Sequence, residues 1–358
     1  MNPYYFNYLK QNSLKDYIDD IKQELDRRVY HYGDQFRINN DFEANFVIKF
    51  LRKQYRISRA VIQSKKRIER LENVVINNAY FGLDNDLKNL QFNPISVPWI
   101  SAYNNPNLYI DLLNYQELLN NTTFDTLFDE KTIDKYNTIK SKLYEYYNKS
   151  NVKMLCLYND ICVFEKISLK IFKELTKPSY VFLHGIPGRY NNIDENRSDY
   201  LAVWGKKIKE NYIKAGISED KIFISGHPSY KNYDLSRINI KSSLDSVLVL
   251  SKSMFPFPQG NTVELADRGN LILYLLEVEE VLKRKNIKYV KFRPHPSENI
   301  NWYYKFISKD FFRPDLNPSI IDSINKSTLV IGSTSTSFLN SILNNVNYII
   351  YEPAHNNL

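Results

Sequence analysis

Five consecutive hydroxyl residues, Ser333, Thr334, Ser335, Thr336 and Ser337, follow Gly332 in the stretch "LVIGSTSTSFLNSIL". About forty residues upstream, His295 stands between two prolines in "VKFRPHPSENI". Ser and Thr donate hydrogen bonds without adding charge, and a glycine ahead of them allows a tight turn. A helix start presents unpaired N–H groups and the positive end of the helix dipole, which suits a phosphate group. One capping hydroxyl would satisfy such a helix, so five in a row point to a ligand as well. His295 could donate to a phosphate oxygen, more strongly when protonated. Arg293 or Lys252 would add a permanent charge, and Glu352 could accept from ribose hydroxyls.

These residues need elements that bring them together. In the second half, "SVLVLSKSMF", "KYVKFRPHP", "TLVIGSTSTS" and "NYIIYEP" read as strands. Between them, "ADRGNLILYLLEVEEVLKRKNI", "SIIDSINKS" and "FLNSILNNV" read as helices. The first half keeps the same rhythm from "VKMLCLYND" through "SYVFLHGIPGRY", "SDYLAVWGKKIKENYIKAGI" and "KIFISGHPSY", with Gly216 as a helix stop. Alternating strands and helices predict parallel, doubly wound sheets with ligands beyond the carboxyl ends of the strands. Ser251 to Ser253, Arg293 to Pro296 and Gly332 to Ser337 all fall at such ends and should converge. The polar stretch "NYDLSRINIKSS", near 232–243, reads as a linker. It divides an N-terminal domain, 1–235, from a C-terminal domain, 244–358, with a cleft between them.

The chain has 358 residues, 25% of them charged, with a net charge of +8. Two domains suit that length, and the basic balance suits a nucleotide-sugar, a polyanion or an anionic surface. Cys156 and Cys162 show no zinc or disulfide spacing, so a reducing cytoplasm is expected. The opening "MNPYYFNYLKQNSLKDY" lacks the apolar core of a signal peptide, and no apolar run is long enough to span a membrane. Residues 41–77 show helical spacing and carry nine basic residues, among them Arg52, Lys53, Arg56 and Arg59. They read either as a membrane-surface helix over 45–70 or as a solvated helix face above a core stripe. Residues 80–130 suggest short strands and loops, and residues 131–149 a charged helix. No GxxxxGK[ST] and no GxGxxG occurs, which argues against a P-loop and a nicotinamide dinucleotide.

"RPHP" followed by "GSTSTS" resembles the His-Pro and Ser/Thr motifs of bacterial sialyltransferases and polysialyltransferases, with related patterns in Kdo transferases of capsule assembly. The likeness covers mainly residues 245–353. It implies the GT-B fold, two Rossmann-like domains facing a cleft, and gives His295 and Ser333 to Thr336 the CMP part of the donor. Those families carry an acidic triplet in the first domain that this chain lacks. Its "FLHGIPGRY" and following segment are instead similar to CDP-glycerol glycerophosphotransferases, which keeps CMP-sialic acid, CMP-Kdo, CDP-glycerol and UDP-sugars open as donors. The family pattern also expects helices beyond the last strand, where this sequence has only the residues to Leu358.

Glycosyl transfer needs a base near neutral pKa for the acceptor proton. His184, after a strand and before Gly185 and Gly188, is the candidate, with Asp194 and Glu195 as substitutes. His227 in "GHPS" should shape the turn between the domains or face the cleft. The reading is thus a glycosyltransferase of bacterial capsule or lipopolysaccharide synthesis, at the inner face of the cytoplasmic membrane. Its partners are a CMP-sugar donor and an oligosaccharide or lipid-linked glycan acceptor. No metal and no cofactor is expected. A glycerophosphotransferase, a UDP-sugar enzyme and a sugar-nucleotide 2-epimerase are the alternatives; nucleic-acid binding lacks a recognised motif.

Overall fold

The computed structural model describes residues 14–25, 46–64, 72–77, 83–102, 105–123, 125–183, 185, 198–227, 230, 239–240, 243–251, 268–296 and 298–351. The chain divides into two compact units, each built on one parallel sheet. The first holds β1 (Glu72–Ile76), β2 (Phe92–Ser96), β3 (Val152–Leu157), β4 (Ser179–Phe182), β5 (Tyr200–Val203) and β6 (Ile222–Ile224). Their order across the sheet is β2-β1-β3-β4-β5-β6. The second holds β7 (Val247–Leu250), β8 (Val290–Arg293), β9 (Phe312–Pro314), β10 (Leu329–Gly332) and β11 (Asn347–Ile350), in the order β11-β10-β7-β8-β9. The expected α/β class, with two Rossmann-like units on parallel sheets, is the architecture found.

Parallel neighbours cannot be joined by a tight hairpin, so each needs a crossover, usually a helix. Val163–Glu174 follows β3, Lys206–Lys214 follows β5, and Arg268–Arg284 follows β7. Helices on both faces bury the strands on both sides, which is why β7 reads as an unbroken apolar run. Its period of two sends Val247 and Val249 into one core with Leu275 and Phe292. Leu248 and Leu250 go to the opposite face with Ile324 and Val330. The helix Lys206–Lys214 ends as expected at Gly216, whose φ of 97° lies in the left-handed region. The N–H of Ile217 then reaches back to the carbonyl of Tyr212 at 3.1 Å, closing a Schellman turn.

Two expectations need correction. The basic helix is Phe46–Ser64 rather than 41–77, because Val74, Val75 and Ile76 belong to β1. Those β-branched residues mimic helical spacing with the preceding segment, but they fit the pleat between β2 and β3. Between 80 and 130 the described residues are largely helical, with Asp84–Asn89, Pro98–Ser101 and Pro106–Asn121 around strand β2. The sequence carries start signals for Pro106–Asn121: Asn105 caps the N–H of Leu108 at 3.1 Å, and Pro106 occupies the first turn. Between β8 and β10, a stretch for which the strand rhythm predicts nothing, lie the short helix Ile300–Tyr303 and β9.

Candidate functional site

Sheet order decides which loops meet. In the second unit β7 lies between β8 and β10, and all run parallel. The residues after Leu250, Arg293 and Gly332 therefore leave the same edge. Adjacent strands stand about 4.8 Å apart, so the His295 loop and the hydroxyl loop are separated by about 10 Å, with Ser251 between them.

The His295 loop is held by a carboxylate that the sequence reading passed over. Glu298 is only 1% exposed. Its Oε2 accepts from the Tyr303 hydroxyl at 2.7 Å, from the backbone N–H of His295 at 3.2 Å, and from the Ser251 hydroxyl. The His295 N–H also reaches Ser251 Oγ at 2.8 Å, and the Glu298 N–H donates to the His295 carbonyl at 2.8 Å. Burial, then the neighbouring Glu298 carboxylate, pushes the Tyr303 phenol upward, which keeps it a donor. The half-buried His295 thus stands on a closed ring of bonds linking the ends of β7 and β8 to the helix Ile300–Tyr303. Ser251, expected to touch nucleotide, has its hydroxyl inside this ring.

Arg293, one of the two candidate cations for the nucleotide, has one of its guanidinium nitrogens engaged within its own unit. Its Nη1 donates to Asp315 Oδ2 at 2.7 Å, to the Asn317 carbonyl at 2.8 Å and to Ser323 Oγ at 2.9 Å. Burial alone would raise the Asp315 carboxyl; bonds from Ser323, Arg293 and Asn317 outweigh it and hold that carboxyl below its ordinary value. This nitrogen is directed at a carboxylate just past the end of β9, and the alternation along β8 turns residue 293 to the face opposite Phe292.

At the end of β10, a Cβ on Gly332 would overlap the Tyr348 hydroxyl and press on Leu250 Cβ at 3.4 Å. Tyr348 donates to the Ser333 carbonyl at 2.7 Å, fixing the first hydroxyl residue, which is itself buried. Thr334 is exposed, while Ser335 and Thr336 are half-buried. Ser335 Oγ accepts from the N–H of Ser337 at 3.2 Å, satisfying the first N–H of the helix, while the N-cap residue Thr336 makes no side-chain cap bond. That helix, Ser337–Leu343, has seven residues, fewer than two turns. The hydroxyls, more than the dipole of so short a helix, are the loop's donors. Lys252 and Glu352 lie outside the described residues.

In the first unit, His184, Asp194 and Glu195 also lie outside the described residues. What surrounds them in sequence is described. The carbonyl of Leu183, next after β4, accepts from Trp204 Nε1 at 2.8 Å. Trp204 follows β5, and its ring stands 4.4 Å from that of His227, which in turn lies 4.3 Å from Tyr230. His227, expected to shape a turn or face the cleft, is thus the middle ring of a tilted three-ring cluster at the carboxyl edge of the sheet. Burial lowers its pKa, which favours the neutral ring. Glu165, in the first turn of Val163–Glu174, is 4% exposed, and burial pushes its carboxyl up to about 7. Its signal in the sequence was an acid inside the apolar run "CVFEKISLKIF". Among the described residues, no three His, Cys, Asp or Glu side chains gather as a metal site.

No family model and no curated protein matches the sequence. Solved structures resemble it at low identity. A UDP-N-acetylglucosamine 2-epimerase from Rickettsia bellii is 13% identical, with a TM-score of 0.45 over 79% of each chain. A glycosyltransferase from Rickettsia africae is 15% identical, with a TM-score of 0.43, again over 79% of each. The wall teichoic acid polymerase TagF is 11% identical, with a TM-score of 0.37 over 86% of this chain and 80% of its own. At these identities and scores the likeness reaches no further than the general architecture.

Proposed function

We propose that the chain is a GT-B glycosyltransferase that moves sialic acid or Kdo from a CMP-linked donor to a glycan acceptor in capsule or lipopolysaccharide synthesis. One observation carries this reading. The His-Pro loop and the hydroxyl loop flank Ser251 on one edge of a parallel sheet, and the Glu298 ring holds the first of them in place. The acceptor hydroxyl attacks the anomeric carbon of the donor as the bond from that carbon to the phosphate oxygen breaks. The acceptor's proton passes to His184, with Asp194 or Glu195 as substitutes. The electron pair of the broken bond leaves on the CMP phosphate. There, His295 and the hydroxyls of Ser333, Thr334 and Thr336 donate to the growing charge. Lys252 supplies the cation in this scheme, since Arg293 Nη1 is engaged with Asp315.

Thermal denaturation with CMP, CDP, UDP and GDP tests the reading. A ligand at 100 times its Kd stabilises by about 2.7 kcal/mol, so CMP should raise the midpoint clearly. A response to CDP alone moves the donor to the glycerophosphotransferase class. No response to any of the four removes the nucleotide site.

A further inference from the structure

The helix Phe46–Ser64 faces outward with the wrong residues for water. Its inner side rests on the helices Pro98–Ser101 and Pro106–Asn121, where Ile57 and Val61 are half-buried. Lys53 anchors it there, donating to Asn114 Oδ1 at 2.9 Å and Glu117 Oε2 at 2.7 Å. Yet Val47, Ile48, Leu51, Tyr55 and Ile62 are between 45% and 70% exposed. Their spacings of three, four and seven place them in one stripe on the side away from those helices. Exposed Arg52, Arg56 and Arg59 run along one border of that stripe. The helix contains five basic residues and no acid.

Single exposed apolar residues are ordinary, but a stripe of five beside a row of cations is not. A neutral protein surface would account for the apolar residues and leave the arginines without a counterpart. A nucleic acid would pair with the arginines and leave the apolar residues wet. An anionic bilayer surface answers both: acyl chains for the stripe and phosphate headgroups for the arginines. No helix among the described residues is long and apolar enough to cross a membrane, so this contact lies in the interface plane.

We propose that the outward face of Phe46–Ser64 docks the protein on an anionic lipid surface, with Val47, Ile48, Leu51, Tyr55 and Ile62 at the acyl boundary and Arg52, Arg56 and Arg59 among the headgroups. None of these residues belongs to the nucleotide edge, so the inference stands or falls apart from the proposed reaction.

The full chain is sedimented with vesicles of phosphatidylcholine, with and without phosphatidylglycerol. It should partition onto the anionic vesicles and not the neutral ones. Replacing Arg52, Arg56 and Arg59 together by Gln should weaken that partition roughly 100-fold, at about fivefold per cation. Leu51→Ser with Tyr55→Ser should weaken it by about tenfold and make the remainder more salt-sensitive. All five positions are exposed, so an unchanged melting temperature certifies that the variants are folded. Equal binding to both vesicles, or to neither, overturns the proposal. So does a dimer in light scattering that Leu51→Ser with Tyr55→Ser disperses. Retention on polyuridylate that those serine substitutions leave unchanged would transfer the face to nucleic acid.

Discussion

Glu298 gathers three donors on one oxygen while nearly cut off from solvent. A buried polar group with all its partners rigidifies its surroundings, and one that loses them leaves each partner unsatisfied at about 1–3 kcal/mol. Glu298 does not reach a ligand itself; it sets the backbone on which His295 stands. Glu298→Gln keeps the size and weakens the acceptor, so the fold should persist while CMP affinity drops by about tenfold. Calorimetric titration checks this beside His295→Ala, which should lose a similar factor by removing the donor directly. Native affinity in Glu298→Gln would show that the ring serves stability alone. The reading of "RPHPSENI" stopped at the histidine because a carboxylate in a polar loop has no sequence mark of burial. Only the docking of Tyr303 and Ser251 around it turns residue 298 inward.

At the scale of elements, the helix Val163–Glu174 carries a cost that depends on pH. The Glu165 carboxyl titrates near its ordinary 4.5 in the unfolded chain and at about 7 in the folded one, because burial disfavours the charge. Between those values the folded state binds the extra proton. The contribution is therefore fully present below pH 4.5 and lost as pH rises to about 7. Glu165→Gln should match the native chain below that window and exceed it above, by roughly 3 kcal/mol at most. Chemical denaturation of both proteins at several pH values measures that difference; a constant offset would mean that Glu165 is ionised in the fold. Strand ends were the elements best seen in advance, because unbroken apolar runs such as "SVLVL" and "TLVIG" have few other uses. The basic helix was seen as a helix, but its period fits both a core-packed stripe and an exposed one. Which side meets Pro106–Asn121 depends on a helix distant in the chain, which the period of Phe46–Ser64 does not encode.

At the scale of the molecule, the two sheets carry different chemistry. Hydroxyls, His295 and the Glu298 ring gather on the second, and the Trp204–His227–Tyr230 ring cluster on the first. A CMP donor should accordingly slow backbone hydrogen exchange at 251, 295–298 and 332–337, leaving β1 to β6 unchanged. Hydrogen exchange with mass detection reads this, and protection confined to the first unit would reassign the donor side. The sequence by itself determined the alternation of strands and helices, and with it two parallel sheets and the edge at which Ser251, His295 and Gly332 emerge. Local periodicity and turn chemistry are written in neighbouring residues, so these features needed no tertiary contact. Tertiary structure alone decided what each side chain meets there. It directed Arg293 Nη1 to Asp315, drew the Ser251 hydroxyl into the Glu298 ring, and left the apolar stripe of Phe46–Ser64 in the open. Those outcomes depend on partners between 22 and 64 positions away in the chain, as with Arg293–Asp315, Ser251–Glu298 and Lys53–Glu117. No local pattern encodes which of them will be close.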